Sequence, residues 1–267
     1  VDLLAALNVA VSGPLDGPPM VFLHGFGCGQ EMWRHVAPAF EAEHRVVLLD
    51  LPGSGGTDPA SYDAERHASL DGYVADVLAV LERLDLRDVT VVGHSVSAMI
   101  AVLAHNAAPE VVSRLVLVSP SARYLDDGDY RGGFAPGDIA ELLELMDRNH
   151  LGWQAPLASM VAGGAEASDR PELEDSFCRT DPDIAVRFAD LTFRGDNRDD
   201  LGAVRAPTLV LQVRHDVVAP MTAGQHVHDH VAGSVLRIVE TRGHAPHLSA
   251  PDVVIREIAE FVGATAR

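Results

Sequence analysis

Val89-Thr90-Val91-Val92-Gly93-His94-Ser95-Val96-Ser97-Ala98-Met99-Ile100-Ala101-Val102-Leu103-Ala104 is the stretch that decides the fold. Its four opening residues, mostly β-branched, read as a strand buried on both faces of a parallel sheet, and residues 98–104 read as a helix. Between them, Gly93-His94-Ser95-Val96-Ser97 turns the chain sharply. A turn of this kind lifts a serine hydroxyl above the sheet edge at a helix N-terminus, forming a nucleophile elbow. Small residues are needed on both sides of it, because side chains there would collide with strand and helix. Gly93 meets that need. Ser97 is larger than the usual glycine, so the motif departs from G-x-S-x-G. Taken alone, Ser95 reads equally as a cap for the following helix. Its place after a buried strand, and the partners described next, favour the nucleophile.

Outward from the elbow, short apolar runs recur at 20–24, 45–49, 115–119, 208–213 and 235–239, each consistent with a buried strand. Helical patterns separate them. Residues 70–84 place Leu70, Tyr73, Val74, Val77, Leu78, Leu81 and Leu84 on one stripe, leaving Asp71, Asp76, Glu82 and Arg83 outside it. Alternating strands and helices predict an α/β fold with a mostly parallel sheet flanked by helices. The alternation lapses between 121 and 205, where 139–146, 153–161 and 184–193 read as successive helices. The expected organisation is therefore a core of 1–120 and 206–267, with a helical cap of 121–205 inserted before the last two strands.

Three further segments supply partners for Ser95. The run at 20–24 ends in His24-Gly25-Phe26-Gly27, a glycine-rich turn after an early strand. Acyl transfer needs two backbone N–H groups aimed at the developing oxyanion, one from such a loop and one from the residue after the nucleophile. Phe26 and Val96 are the candidates. The strand at 208–213 leads into Arg214-His215-Asp216, so Asp216 falls just past a strand's carboxyl end, where catalytic groups of open α/β sheets gather. After 235–239 comes Gly243-His244-Ala245-Pro246-His247, which offers two histidines. His244 is the first after the strand and follows a flexible glycine, so it is the candidate base, with His247 in support. A serine hydroxyl is a poor nucleophile until a histidine takes its proton, and a carboxylate fixes the imidazole tautomer. The chain order Ser95, Asp216, His244 matches that of α/β sheet hydrolases.

Composition removes other chemistries. With 267 residues and 47% apolar side chains the chain can bury one sizeable core. Its formal charge of −19 opposes binding to nucleic-acid phosphates and anionic membranes. All 20 basic residues are arginine, which excludes a pyridoxal Schiff base, a Ser-Lys dyad and a phosphate-binding P-loop. Cys28 and Cys178 make no disulfide framework, no basic segment precedes an apolar stretch at the N-terminus, and no apolar run approaches the ~18 residues of a membrane span. The expectation is a cytoplasmic protein needing neither cofactor nor metal. Segment 121–200 carries 18 acids against 8 arginines, as expected of a solvated outer surface. Gln225-His226-Val227-His228-Asp229-His230 resembles a metal-ligand spacing, but on a helix only His226 and His230 share a face. Cys28 reads as a pocket-side or buried thiol.

With these residues placed, the sequence resembles the α/β-hydrolases that include the bacterial stress-signalling regulator RsbQ and the plant karrikin and strigolactone receptors. The likeness spans nearly the whole chain. It rests on His24-Gly25-Phe26-Gly27 with Met32-Trp33, Asp50-Leu51-Pro52-Gly53-Ser54-Gly55, Gly93-His94-Ser95-Val96-Ser97-Ala98-Met99, Ser119-Pro120-Ser121, Gly132-Gly133-Phe134, Gly152-Trp153 and Gly243-His244-Ala245-Pro246-His247-Leu248-Ser249. Ser97 is similar to the plant receptors' elbow, and the histidine loop to that of the bacterial regulator. The resemblance implies four cap helices over an apolar pocket lined by Phe26, Phe134, Trp153, Leu157, Phe193 and Val218. It also implies one of two roles: turnover of a small apolar ester or lactone, or signalling in which the triad processes or senses a small apolar ligand and the cap presents a surface to a protein partner. Cofactor-free haloperoxidase-like or C–C bond hydrolase chemistry is a third implication of the same triad. The lack of lysine points to a bacterial source.

Overall fold

The computed structural model describes residues 2–148, 152–163 and 167–265, apart from the side chain of Cys178. After one helical turn, α1 (Leu3–Ala6), come β1 (Ala10–Ser12), β2 (Pro19–Leu23), β3 (Arg45–Leu49), α2 (Leu70–Arg83), β4 (Val89–His94), α3 (Val96–Ala107) and β5 (Val112–Val118). Four helices follow, α4 (Pro136–Arg148), α5 (Gln154–Ala162), α6 (Arg170–Arg179) and α7 (Pro182–Arg194). The chain then returns through β6 (Thr208–His215), α8 (Met221–His230), β7 (Val235–Arg242), α9 (Pro246–Ser249) and α10 (Pro251–Thr265).

The strands form one seven-stranded sheet in the order β1-β3-β2-β4-β5-β6-β7. Only the β1–β3 pair is antiparallel. The inner strands are buried on both faces, so they read as unbroken apolar runs, and alternate residues feed two cores. Met20, Phe22, Val92 and Val116 pack with Trp33, Phe40, Val254 and Ile258 on one face. Val21, Leu23, Val91 and Leu115 pack with α2, α3 and the cap helices on the other.

Each of the six sequence-predicted strands is present, and four helices occupy the interval between β5 and β6. The departures have local causes. β1 is a three-residue edge strand with no apolar run, and β5 starts earlier than expected because Ser113 and Arg114 interrupt its pattern. Among its described side chains, helix α6 offers only Leu173 and Phe177 as buried apolar residues one turn apart, in a largely charged stretch. Asp76, assigned by the helical stripe to the solvent side of α2, is only 7% exposed. The His67 Nε2–H donates to it at 2.7 Å and Arg66 pairs with its other oxygen, so the buried carboxylate is compensated.

Candidate active site

The carboxyl ends of β2, β4, β6 and β7 meet at one edge of the sheet, each handing over to a loop that carries one of the predicted groups. At the end of β4, Ser95 has φ 59° and ψ −124°, a left-handed conformation that costs a non-glycine residue of order 1–3 kcal/mol. A Cβ on Gly93 would lie 2.2 Å from the Ser97 carbonyl oxygen, so glycine is obligatory there. Ser97 is fully buried and its hydroxyl donates to the His24 carbonyl. The feature that departed from the general elbow motif thus ties the elbow to the β2 loop.

The predicted nucleophile, base and acid are in hydrogen-bond contact. The His244 Nδ1–H donates to Asp216 Oδ2 at 2.7 Å, and His244 Nε2 lies 2.8 Å from Ser95 Oγ. Asp216 Oδ1 accepts from the amides of Val218 and Ala219 at 2.8 and 3.0 Å, which fixes the carboxylate without diverting it from the histidine. Because Nδ1 carries the proton, Nε2 is the acceptor and the Ser95 hydroxyl donates to it. All three side chains are buried, as water exclusion around reacting charges requires. Phe26 lies on the loop after β2 and Val96 opens α3 directly after Ser95, and neither amide donates to a protein acceptor among the described residues. Both N–H groups therefore remain to be used by an oxyanion.

Tyr124, which sequence reasoning missed, places its hydroxyl 3.0 Å from Ser95 Oγ. The single Ser95 proton is already committed to His244, so Tyr124 is the donor. Burial raises the Tyr124 pKa and keeps that proton in place. The available signal was topological, since Tyr124 follows the carboxyl end of β5 at the same sheet edge.

A second layer of histidines backs the base. The His94 Nε2–H donates to the His244 carbonyl at 2.8 Å, and His247 stacks on Trp33 with ring centroids 4.4 Å apart. Burial first, and then neighbouring histidines, hold His94 far below the ordinary histidine pKa; burial and His244 push His247 down to about 3. His247 is thus a neutral packing residue and makes no contact with Ser95. The base loop is also tied to the cap, because the His244 amide donates to the Val161 carbonyl of α5 at 2.6 Å.

Beside Ser95 and His244 lies a small cavity of about 20 Å³. Of the predicted pocket residues, Phe26, Leu157, Phe193 and Val218 line it, joined by Cys28, Val161, Phe177 and Thr192. The other two stand one layer back. Trp153 packs behind Phe26 with centroids 6.0 Å apart, and Phe134 stands edge-on to Phe193 at 6.0 Å. The rings of Phe177 and Phe193 occupy the wall in front of them. Burial drives the Cys28 thiol pKa upward, the opposite of what a nucleophilic cysteine requires. The histidines on α8 are spent elsewhere: His226 and His230 stack at 3.9 Å, while His228 Nδ1 meets the Ser234 hydroxyl.

A buried serine activated by a histidine and carboxylate, with two free amides beside it, defines a serine hydrolase of acyl compounds. The chain belongs to the Alpha/beta hydrolase family, whose model matches residues 20–257. It is 39% identical over 252 residues to a karrikin insensitive 2 receptor of Petunia hybrida, covering 94% of this chain and 93% of that protein. It is 38% identical to a strigolactone esterase of Arabidopsis thaliana, covering 98% and 96% of the two chains. A hydrolase from Oleispira antarctica superimposes with a TM-score of 0.95 at 35% identity, over 98% of this chain and 96% of that one.

Proposed function

We propose that the protein hydrolyses a small, apolar ester or lactone through an acyl-enzyme formed on Ser95. The observation that carries this reading is the unbroken hydrogen-bond chain Asp216–His244–Ser95 opening on an apolar cavity. Ser95 Oγ attacks the carbonyl carbon while His244 takes its proton, and the amides of Phe26 and Val96 receive the oxyanion. His244 then protonates the departing alkoxide. Water repeats the sequence on the acyl-enzyme, and the acid leaves. In this scheme 1–120 and 206–267 form the catalytic core, and 121–205 the cap that supplies Leu157, Phe177 and Phe193 to the cavity wall. No metal or cofactor enters any step. Ser95→Ala should lower hydrolysis of a short p-nitrophenyl ester by on the order of 10³-fold or more. A near-normal rate in that variant overturns the assignment.

A cytoplasmic, RsbQ-like signalling role is the second reading, and the small cavity walled by the cap favours it. Leu157, Val161, Phe177, Thr192 and Phe193 of the cap wall this small cavity, so a ligand seated there bears directly on the cap that a protein partner would read. Slow turnover together with capture of a partner by the ligand-treated protein, and not by Ser95→Ala, is its test. Fast multiple turnover with no partner refutes it. Among the described residues no helix is long and apolar enough to cross a membrane.

A further inference from the structure

We infer that Tyr124 is a further catalytic residue, acting on Ser95 Oγ to drive the acyl-enzyme toward hydrolysis. The inference rests on the acyl-enzyme reading above. Tyr124 reaches the reacting atom itself, at 3.0 Å, and is 2% exposed, so no solvent competes for its proton. Its ring is held by an edge-on contact with Phe193 at 5.3 Å. In the free enzyme, Oγ donates a hydrogen bond to His244 and accepts one from Tyr124. Acylation changes the acceptor, because Oγ becomes the alkyl oxygen of an ester, whose lone pairs are delocalised toward the carbonyl. The Tyr124 hydrogen bond is therefore strong before acylation, weakened in the acyl-enzyme, and restored on release.

The direction of the effect follows. A group that binds free serine better than acylated serine favours the free form, and so lowers the barrier to deacylation relative to acylation. In the deacylation step water oxygen bonds to the acyl carbon, His244 takes a water proton, the carbon–Oγ bond breaks, and that proton passes to Oγ. Tyr124 keeps its own proton throughout and contributes only the hydrogen bond to the departing oxygen. Its contribution tips a capped hydrolase toward turnover and away from a retained adduct.

The test compares wild type with Tyr124→Phe, using p-nitrophenyl butyrate in stopped flow with intact-mass detection of the acylated chain. Acylation should stay within about twofold of wild type, while deacylation slows roughly three- to tenfold, the worth of one hydrogen bond. An acyl adduct on Ser95 should accumulate during steady state. Equal slowing of both steps, or unchanged deacylation, overturns the proposal. Should the Phe variant fail to fold, fluorotyrosine incorporated throughout the wild-type chain gives a more acidic phenol, and the ratio of deacylation to acylation should rise; a fall or no change overturns it. If wild type forms no Ser95 adduct and Ser95→Ala keeps its rate, it is the acyl-enzyme reading that fails.

Discussion

Gly163→Ala, a change in the cap with no part in the chemistry, should slow catalysis through the base. Gly163 has φ +85°, and a Cβ there would lie 2.7 Å from the Gly243 amide nitrogen and 2.9 Å from its Cα. Returning the nearer contact from 2.7 to 3.4 Å, where ordinary van der Waals contact begins, requires a separation of about 0.7 Å. The next residue is His244, whose amide is held by Val161 at 2.6 Å, so helix and loop cannot part without disturbing the ring. If half of that displacement reaches Nε2, the 2.8 Å contact with Ser95 Oγ stretches past the hydrogen-bond optimum. A 1 Å misplacement can cost on the order of 10²-fold, so one about a third as large costs roughly fivefold in rate. The left-handed backbone adds about 1–2 kcal/mol of destabilisation. Steady-state kcat on p-nitrophenyl butyrate, read beside a thermal melt, is the assay. Gly137→Ala is the control, because a Cβ on that cap glycine meets nothing within 4 Å. A cooperatively folded Gly163→Ala with kcat within about twofold of wild type, well short of the loss that misplacement predicts, refutes the coupling.

His244→Ala should abolish hydrolysis, whereas His247→Ala should lose stability with a smaller loss of kcat, because His247 packs on Trp33 and does not touch Ser95; loss of activity in the second variant alone would reverse the assignment. Stability should fall on acidification. His94 and His247 have folded pKa values below 6.5, so between 6.5 and about 3 for His247 the unfolded chain binds protons that the folded chain refuses. Stability is thus fully present above pH 6.5 and declines as pH drops, by about 1.4 kcal/mol per pH unit for each histidine. Urea midpoints that do not change between about pH 7 and 5, the upper part of that window, would contradict this.

The sheet and the triad were legible because their determinants are local. A buried parallel strand advertises itself as a β-branched run, and the residues at its carboxyl end inherit a position from topology alone. That logic singled out Ser95, Asp216 and His244, which the structure brings into one hydrogen-bonded cluster, and applied to β5 it would have led to Tyr124. Other features depend on which neighbours long-range packing supplies. Asp76 is buried because His67 and Arg66 arrive from another segment, and nothing in the spacing of α2 reveals it. Phe177 lies on a helix whose charged surface hides its two anchors, so it went unseen while Phe134 and Trp153, more conspicuous in sequence, were expected at the wall it occupies.

The cap and the base form one mechanical unit. Cap side chains wall the small cavity beside Ser95, and the same cap fastens the His244 loop through Val161. A ligand that displaces α5 would therefore also pull on the base. Bulk that holds α5 displaced would slow turnover and prolong the displaced cap surface; a compact substrate would leave α5 in place and be cleaved. Tyr124 acts on the same balance from the other side, by shortening the life of the acylated state. Ligand size and the Tyr124 hydroxyl are thus two independent controls over whether this site turns over substrate or dwells on it.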